Sequence, residues 1–421
     1  MAPIMHHHTM NAAERTPWVY EQAHAIGFDL CGVAAIATAP ATRDSASRSS
    51  CDGTFEELAY LPEWLARGYA GEMNYLRDPR RADPRLVLDG ARSLIVVALN
   101  YNSRSAYSTE VPVSHADESP RGWISRYAWG DDYHQVVREK LDALVAAMRS
   151  QFGEPFEARS YVDTGPIIER MAAKYAGLGW LAKNTCLINE KMGSWLFLGV
   201  IVTTLDLAPS VPPGEPPAPD LCGNCRLCLD ACPTQAFPAP YVLDASRCIS
   251  YLTIELRGAI PDELRPAMGR AVIGCDICQD VCPWNRKSPV TQLAAFQPRQ
   301  FASIAENGGN EKKCSESLFA PELEMLASLT QQEFSEIFRN SAVKRAKWRG
   351  VVRNACVALG NSGVERDSNA HRRVVGLLER LAGGDDPLIA EHARWALARL
   401  NNRGTARRHH PIDLPRKLPI A

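Results

Sequence analysis

Eight of the thirteen cysteines in this chain, Cys222, Cys225, Cys228, Cys232, Cys248, Cys275, Cys278 and Cys282, fall within 61 residues. The start of the sequence has no basic region followed by an apolar run, and no twin arginine precedes one, so a cytoplasmic location with reduced thiols is expected. Cys222-x2-Cys225-x2-Cys228-x3-Cys232-Pro233 has the spacing of the bacterial ferredoxin run, in which three thiolates grip one [4Fe–4S] cube and the fourth reaches the next. Cys275-x2-Cys278-x3-Cys282-Pro283 is one cysteine short of the same pattern, and Cys248 supplies it. The spacing therefore assigns Cys222, Cys225, Cys228 and Cys282 to one cluster, and Cys232, Cys248, Cys275 and Cys278 to the other. Zinc is the rival, because paired Cys-x2-Cys elements also build tetrahedral zinc sites. The register, the two Cys-Pro endings and the total of eight argue against it. Cys31, Cys51, Cys186, Cys314 and Cys356 stand singly and read as buried or bystander thiols.

Two cubes make an electron relay, and the rest of the chain must hold whatever is reduced. At about 150 residues per domain, 421 residues allow two to three domains. No stretch approaches the roughly 18 uninterrupted apolar residues of a membrane span, so none is expected. Helical patterns alternate with the β-branched runs 93–99 and 198–204, while apolar residues at 136, 137, 141, 144 and 145 mark a helix over 132–145. The expected fold is α+β and multi-domain. An α/β cofactor-binding domain spans 18–207, a ferredoxin-like domain spans 208–300, and α-helical HEAT-like repeats span 315–402. Six prolines among residues 208–220 mark an extended connector and a boundary. Arg270-Ala-Val-Ile273 is compatible with helix, and the polar, glycine-bearing stretch 306–313 with a loop. Ala355 and Ala396, like Leu359 and Leu400, repeat at 41 residues, a period of paired-helix repeats.

The net charge of −1 hides a segregation: residues 339–421 hold 17 Lys/Arg against 7 Asp/Glu, and the remainder holds 30 against 41. Arg339, Lys344, Arg345, Lys347, Arg349 and Arg353 crowd into fifteen residues without an acid, a pattern that suits phosphates. His6, His7 and His8 read as a terminal tail.

Four segments, Tyr161-Val-Asp-Thr-Gly-Pro-Ile-Ile-Glu-Arg170, Ala176-Gly-Leu-Gly-Trp-Leu-Ala-Lys-Asn184, Gly193-Ser-Trp-Leu-Phe-Leu-Gly199 and Arg247-Cys-Ile-Ser-Tyr-Leu-Thr-Ile-Glu255, together with the cysteine spacings, resemble the epoxyqueuosine reductase family. The resemblance runs from about residue 18 to 400. It implies reduction of the epoxide of epoxyqueuosine to the alkene of queuosine at the tRNA wobble position, the last step of queuosine biosynthesis. The implied cofactors are cobalamin, resting as cob(II)alamin and reduced to Co(I), and two [4Fe–4S] clusters. Carried onto this sequence, it makes Arg81, Ser125, Asp163, Lys183, Asn184, Leu187, Leu198 and Ser250 cobalamin contacts. Asp163 becomes the acid that protonates the epoxide oxygen, kept neutral by burial beside the corrin near Val162, Ile167 and Ile168. His134 approaches an Asp-x-His-x-x-Gly cobalt-ligand signature, but Val137 replaces its glycine, so it reads as an ordinary helix residue. The resemblance also turns Lys344, Arg345, Lys347, Arg349 and Arg353 into a tRNA-binding patch. It implies a monomer that takes electrons from flavodoxin or ferredoxin. A cobalamin-dependent reductive dehalogenase-like enzyme and a ferredoxin-type electron-transfer subunit are the alternatives.

Overall fold

The computed structural model describes residues 10–36, 55–110, 118–307 and 310–402, with the side chains of 302–316 left out. His6, His7, His8, Cys51 and the Cys314 side chain lie outside the described residues. The chain divides into two compact units that share it in alternating segments, where the sequence suggested three consecutive blocks.

One unit takes its described residues from Met1–Asn102, Tyr133–Cys225 and Pro283–Thr291. Its centre is a four-stranded sheet in the order Leu30–Ala35, Ser93–Asn100, Leu196–Thr203, Ala158–Tyr161. All three ladders are antiparallel, so this unit is α+β, not the α/β domain expected. Alternation of helix and strand along a chain gives parallel pairing only when the helices cross over between neighbouring strands. Ser93–Asn100 is buried at every position, as its unbroken apolar run requires of a strand covered on both faces. The Tyr133–Phe152 helix covers one face through Val137, Leu141, Leu144, Val145 and Met148, a stripe at three- and four-residue spacing. Gly199 lets it approach: a Cβ there would sit 2.8 Å from Val137 Cγ1 and 3.0 Å from Leu141 Cδ1. Against the other face pack Ala172 and Ala173 of the Glu169–Tyr175 helix, with Phe55, Leu58 and Val87.

The proline-rich connector is docked. Ser210 donates its amide to Val33 O at 2.9 Å, and its hydroxyl accepts the Val33 amide at 2.7 Å, fixing the run beside the Leu30–Ala35 strand. The unit therefore continues to Cys225, beyond the boundary placed at the prolines. Pro283–Thr291 returns to it as a strap, with Asn100 Nδ2 bonded to Pro289 O at 2.7 Å and the Thr291 amide to Asn102 O at 2.9 Å.

The other unit takes its described residues from Ser103–Asp132, Arg226–Cys282 and Gln292–Ala421. Two four-residue helices, Leu227–Asp230 and Ile277–Asp280, carry Cys228 and Cys278. Residues 271–273 form a strand parallel to Trp123–Ile124 instead of the helix expected; β-branched Val272 and Ile273 suit the pleated surface. Residues 306, 307 and 310–313 of the stretch expected as a loop belong instead to an antiparallel pair, Gln300–Asn307 with Asn310–Ser317. Among the described residues five α-helices follow: Leu323–Ser328, Gln331–Ile337, Lys347–Asn361, Asn369–Ala382 and Pro387–Asn402. The residues repeated at 41 positions, Ala355 with Ala396 and Leu359 with Leu400, are the buried faces of two of them. Where these helices touch, a Cβ on Gly360 would lie 2.9 Å from Ala396 Cα. No described helix is long and apolar enough to cross a membrane.

Candidate functional site

The block cysteines are held by short turns whose amides aim at sulfur. In the sheet-bearing unit, the Lys183 backbone amide bonds to the Cys222 thiol, and Lys183 Nζ clamps the same loop through Gly223 O and, at 3.0 Å, Cys225 O. In the other unit, the Ala236 amide donates to Cys232 Sγ at 3.3 Å. The Ser250 and Tyr251 amides and the Ser250 hydroxyl face Cys248, and the Ile277 amide faces Cys275. Burial raises the thiols of Cys248 and Cys275, and the neighbouring Cys232 thiol adds to both shifts. Cys232, Cys248 and Cys275 therefore share one neighbourhood, where as bare thiolates they would repel. Bound iron reverses that penalty, and N–H donors to sulfur are the support an iron–sulfur ligand needs. This donor set fits [4Fe–4S] chemistry. Of the scattered thiols, burial pushes Cys31 and Cys356 up to about 12, leaving both protonated and inert.

Between the cysteines of the second run lie two buried carboxyls that the sequence reading passed over. Asp276 accepts from Trp123 Nε1 at 3.1 Å, the Arg126 amide at 2.8 Å and the Ser125 hydroxyl. Asp280 accepts the Ser108 amide at 2.8 Å, and burial, then the Asp276 charge, pushes it up to about 8. Buried Arg126 lies over the Trp129 ring at 4.8 Å and donates to Ser103 O at 2.8 Å. An acid inside a Cys-x2-Cys-x3-Cys run was the signal available, but nothing local announces its burial.

Asp163 sits just beyond the Ala158–Tyr161 strand, in a turn that folds back on Tyr161. Its φ is 55°, a left-handed conformation that aspartate tolerates better than most residues, and the Thr164 amide bonds to Val162 O at 2.5 Å. Gly165 is obligatory there, since a Cβ would lie 2.3 Å from the Tyr161 ring. The burial expected for Asp163 is not supplied by this unit: Val162 and Ile167 are buried, but the Asp163 side chain is 50% exposed. His134, read as an ordinary helix residue, stands with Nε2 3.4 Å from Asp163 Oδ2. A stack fixes it there, His134 on Tyr133 at 4.0 Å and Tyr133 on Phe197 at 4.3 Å. Close to Asp163, burial, then the Asp163 charge, pushes the Glu169 carboxyl up to about 7.

The remaining expected contacts divide. Arg81 is buried, with Nε on Tyr75 O at 3.2 Å, and Asn184 is buried with Oδ1 accepting the Cys186 amide at 3.2 Å. Leu187 is a buried core residue, and the partly buried Leu198 packs against the same core. Ser125 is engaged with Asp276, and Ser250 with the Cys248 sulfur. In the basic stretch Lys344 and Lys347 are exposed, Arg345 pairs with Glu255 and Arg349 with Asp386. Arg353 corrects the sequence reading: it is fully buried, its guanidinium bonded to Leu252 O, Leu256 O and Gly258 O at 2.6, 2.9 and 2.7 Å, out of reach of any phosphate.

Residues 221–285 match the family described as "4Fe-4S double cluster binding domain", and residues 81–164 the family described as "Epoxyqueuosine reductase QueG, DUF1730". The chain is 39% identical over 350 residues to the epoxyqueuosine reductase of Pseudomonas aeruginosa, covering 82% of this chain and 87% of that one. It is 37% identical over 350 residues to that of Escherichia coli, covering 82% and 83%. In structure it is similar to an epoxyqueuosine reductase crystallised with an epoxyqueuosine-modified tRNA-Tyr stem loop, with TM-score 0.74 and 31% identity over 91% of this chain and 89% of that one. It is similar also to the Bacillus subtilis epoxyqueuosine reductase, whose catalytic aspartate loop is swung out of the active site, with TM-score 0.74 and 29% identity over 91% and 90%.

Proposed function

The chain belongs to the epoxyqueuosine reductase family, oxidoreductases of queuosine biosynthesis with a 4Fe–4S binding domain, and from that premise we propose how its own residues divide the reaction. The substrate is a tRNA bearing epoxyqueuosine at the wobble position, and the product carries the alkene. Cys222, Cys225, Cys228 and Cys282 hold one [4Fe–4S] cluster, and Cys232, Cys248, Cys275 and Cys278 hold a second. Electrons enter from a ferredoxin or flavodoxin. The half-exposed Asp163 carboxyl, held at φ 55° at the end of the sheet, is a polar group that the amide fringe of a corrinoid fits. Cobalamin, held through Asp163, Arg81, Lys183, Asn184 and Leu198, supplies strongly reducing electrons when bound. Asp163 gives its proton to the epoxide oxygen as the C–O bond opens, because an unprotonated alkoxide is a poor product and a worse leaving group. His134 orients that carboxyl at 3.4 Å. The turn that carries Asp163 swings, in keeping with the Bacillus subtilis enzyme, whose catalytic aspartate loop is found swung out of the active site. Lys344 and Lys347 meet RNA phosphates, and the helices from Lys347 to Asn402 are HEAT-like. The protein works in the cytoplasm as a monomer.

The observation that carries this reading is a carboxyl held at positive φ, half exposed, at the end of a sheet within a chain whose family match covers 82% of its length. An electron-carrier subunit has no use for such a carboxyl. The test is incubation of anaerobically purified protein with epoxyqueuosine-containing tRNA, cobalamin and a strong reductant, followed by nucleoside mass analysis. Queuosine should form, and Asp163→Asn should lower kcat by roughly 10² to 10⁴. Undiminished turnover by that variant removes Asp163 from the acid role.

A further inference from the structure

Removing an epoxide oxygen as water breaks two C–O bonds, makes one C=C bond, and takes up two electrons and two protons. The electrons come from the external low-potential donor by way of the iron–sulfur chemistry. Asp163 carries one proton at a time, so each turnover must refill it once before water can leave. The refilling group has to stand close to Asp163 and still be protonated near neutrality.

We propose that Glu169 is the proton reserve that recharges Asp163, an inference that rests on the reading of Asp163 as the acid. Glu169 is the first residue of the Glu169–Tyr175 helix, at the far end of the tight turn that begins with Asp163. Its Oε1 is buried and has no hydrogen-bond partner, an arrangement that costs a carboxylate far more than a carboxylic acid. The charged groups that face it are Asp163, Arg81 and Arg170. Neither guanidinium hydrogen-bonds to it: Arg81 Nε donates to Tyr75 O at 3.2 Å and Arg170 donates to Thr185 O. His134 faces Asp163 from the start of the Tyr133–Phe152 helix. With its titration at about 7, raised first by burial and then by the Asp163 charge, Glu169 enters neutral solution still partly protonated. It passes that proton to Asp163 carboxylate after the first transfer and regains one from solvent between turnovers. Glu169 acts through Asp163 and is therefore a positioning and supply residue, with Asp163 the group that touches the oxygen.

The test uses holoenzyme loaded with clusters and cobalamin, epoxyqueuosine-bearing RNA stem loop and excess reductant, with kcat and KM followed between about pH 5.5 and 9. In the wild type kcat should fall as pH rises through about 7, since the working form is the acid. Glu169→Gln should lower kcat about tenfold to hundredfold, leave KM for RNA unchanged and erase that limb. Glu169→Asp should recover part of the rate with a displaced limb, and it carries the test alone if the Gln variant loses iron. In infrared titration of the holoenzyme, the wild-type minus Glu169→Gln difference should contain a carboxyl band that is lost as pH rises through about 7, apart from the Asp280 band near 8 that both proteins share. A Glu169→Gln enzyme with wild-type kcat and pH profile, or one changed in KM alone, overturns the inference and leaves Asp163 in place. Wild-type protein that never consumes the epoxide overturns the parent reading and this one with it.

Discussion

Asp163 and Arg353 show how little a residue's formal charge says about its task. Asp163 sits at φ 55°, a conformation costing on the order of 1 kcal/mol for a residue other than glycine, and is held there because Gly165 packs against Tyr161. Arg353 looks in sequence like the last of six phosphate contacts and in the structure serves as a buried plug for three carbonyls. Arg353→Ala should therefore destabilise the protein by roughly 3 kcal/mol, read as a shift of the denaturant midpoint, since it strands those acceptors. Lys344→Ala with Lys347→Ala should leave stability within about 0.5 kcal/mol and weaken tRNA binding with a shallower salt dependence. If the Arg353 variant is as stable as wild type and loses only tRNA affinity, the assignment is reversed. The 4Fe–4S domain was legible in the cysteine spacing because cluster binding is local chemistry with fixed loop lengths. Glu169 was quoted within a motif and passed over, because its burial depends on distant segments.

Elements in this protein are closed by small contacts between segments far apart in sequence. Gly193 has φ 70°, and a Cβ there would lie 2.3 Å from Asn285 Oδ1, the atom that accepts the Ser194 amide at 2.7 Å. Asn285 Nδ2 returns a bond to Ser194 Oγ at 2.9 Å. Gly193→Ala should therefore cost about 3 kcal/mol, from the strained backbone plus the lost strap bonds. Gly68, at φ 75° with nothing within 4 Å of a built Cβ, is the control, and Gly68→Ala should cost only about 1 kcal/mol. Equal midpoint shifts for the two would show that the strap does not matter. The sequence indicated strands 93–99 and 198–204 and a helix at 132–145, all close to the elements observed. Strand direction was not legible, because an apolar run encodes burial on both faces but not which neighbour it pairs with.

Across the whole molecule, pH should act on folding through His392. This ring is fully buried, with Nδ1 donating to Leu388 O at 2.7 Å and Nε2 accepting the Ile260 amide at 3.1 Å, so only the neutral form fits. Burial is the main cause that lowers its pKa from 6.5 to about 4. The folded state then binds fewer protons at this ring than the unfolded one between those values, so the contribution of His392 is complete above about 6.5 and declines as pH falls toward 4, against the opposite trend of the buried Glu169 and Asp280 carboxyls. The loss between about pH 7.5 and 5 should reach on the order of 2 kcal/mol from this group, and His392→Asn should remove that part of the slope in denaturant titrations. An identical slope in the variant would place the sensitivity elsewhere. Charge segregation along the chain was legible from sequence, whereas the division into units was not, since the chain passes between them five times, after Asn102, Asp132, Cys225, Cys282 and Thr291. That interleaving has a consequence for biosynthesis. A nascent chain emerging from the ribosome cannot finish its sheet-bearing half until residue 291 of 421 has been added, by which time much of the other half is already exposed and waiting. Translation speed through the cysteine block, and iron supply during it, thus become determinants of yield that no truncation at a single point can bypass.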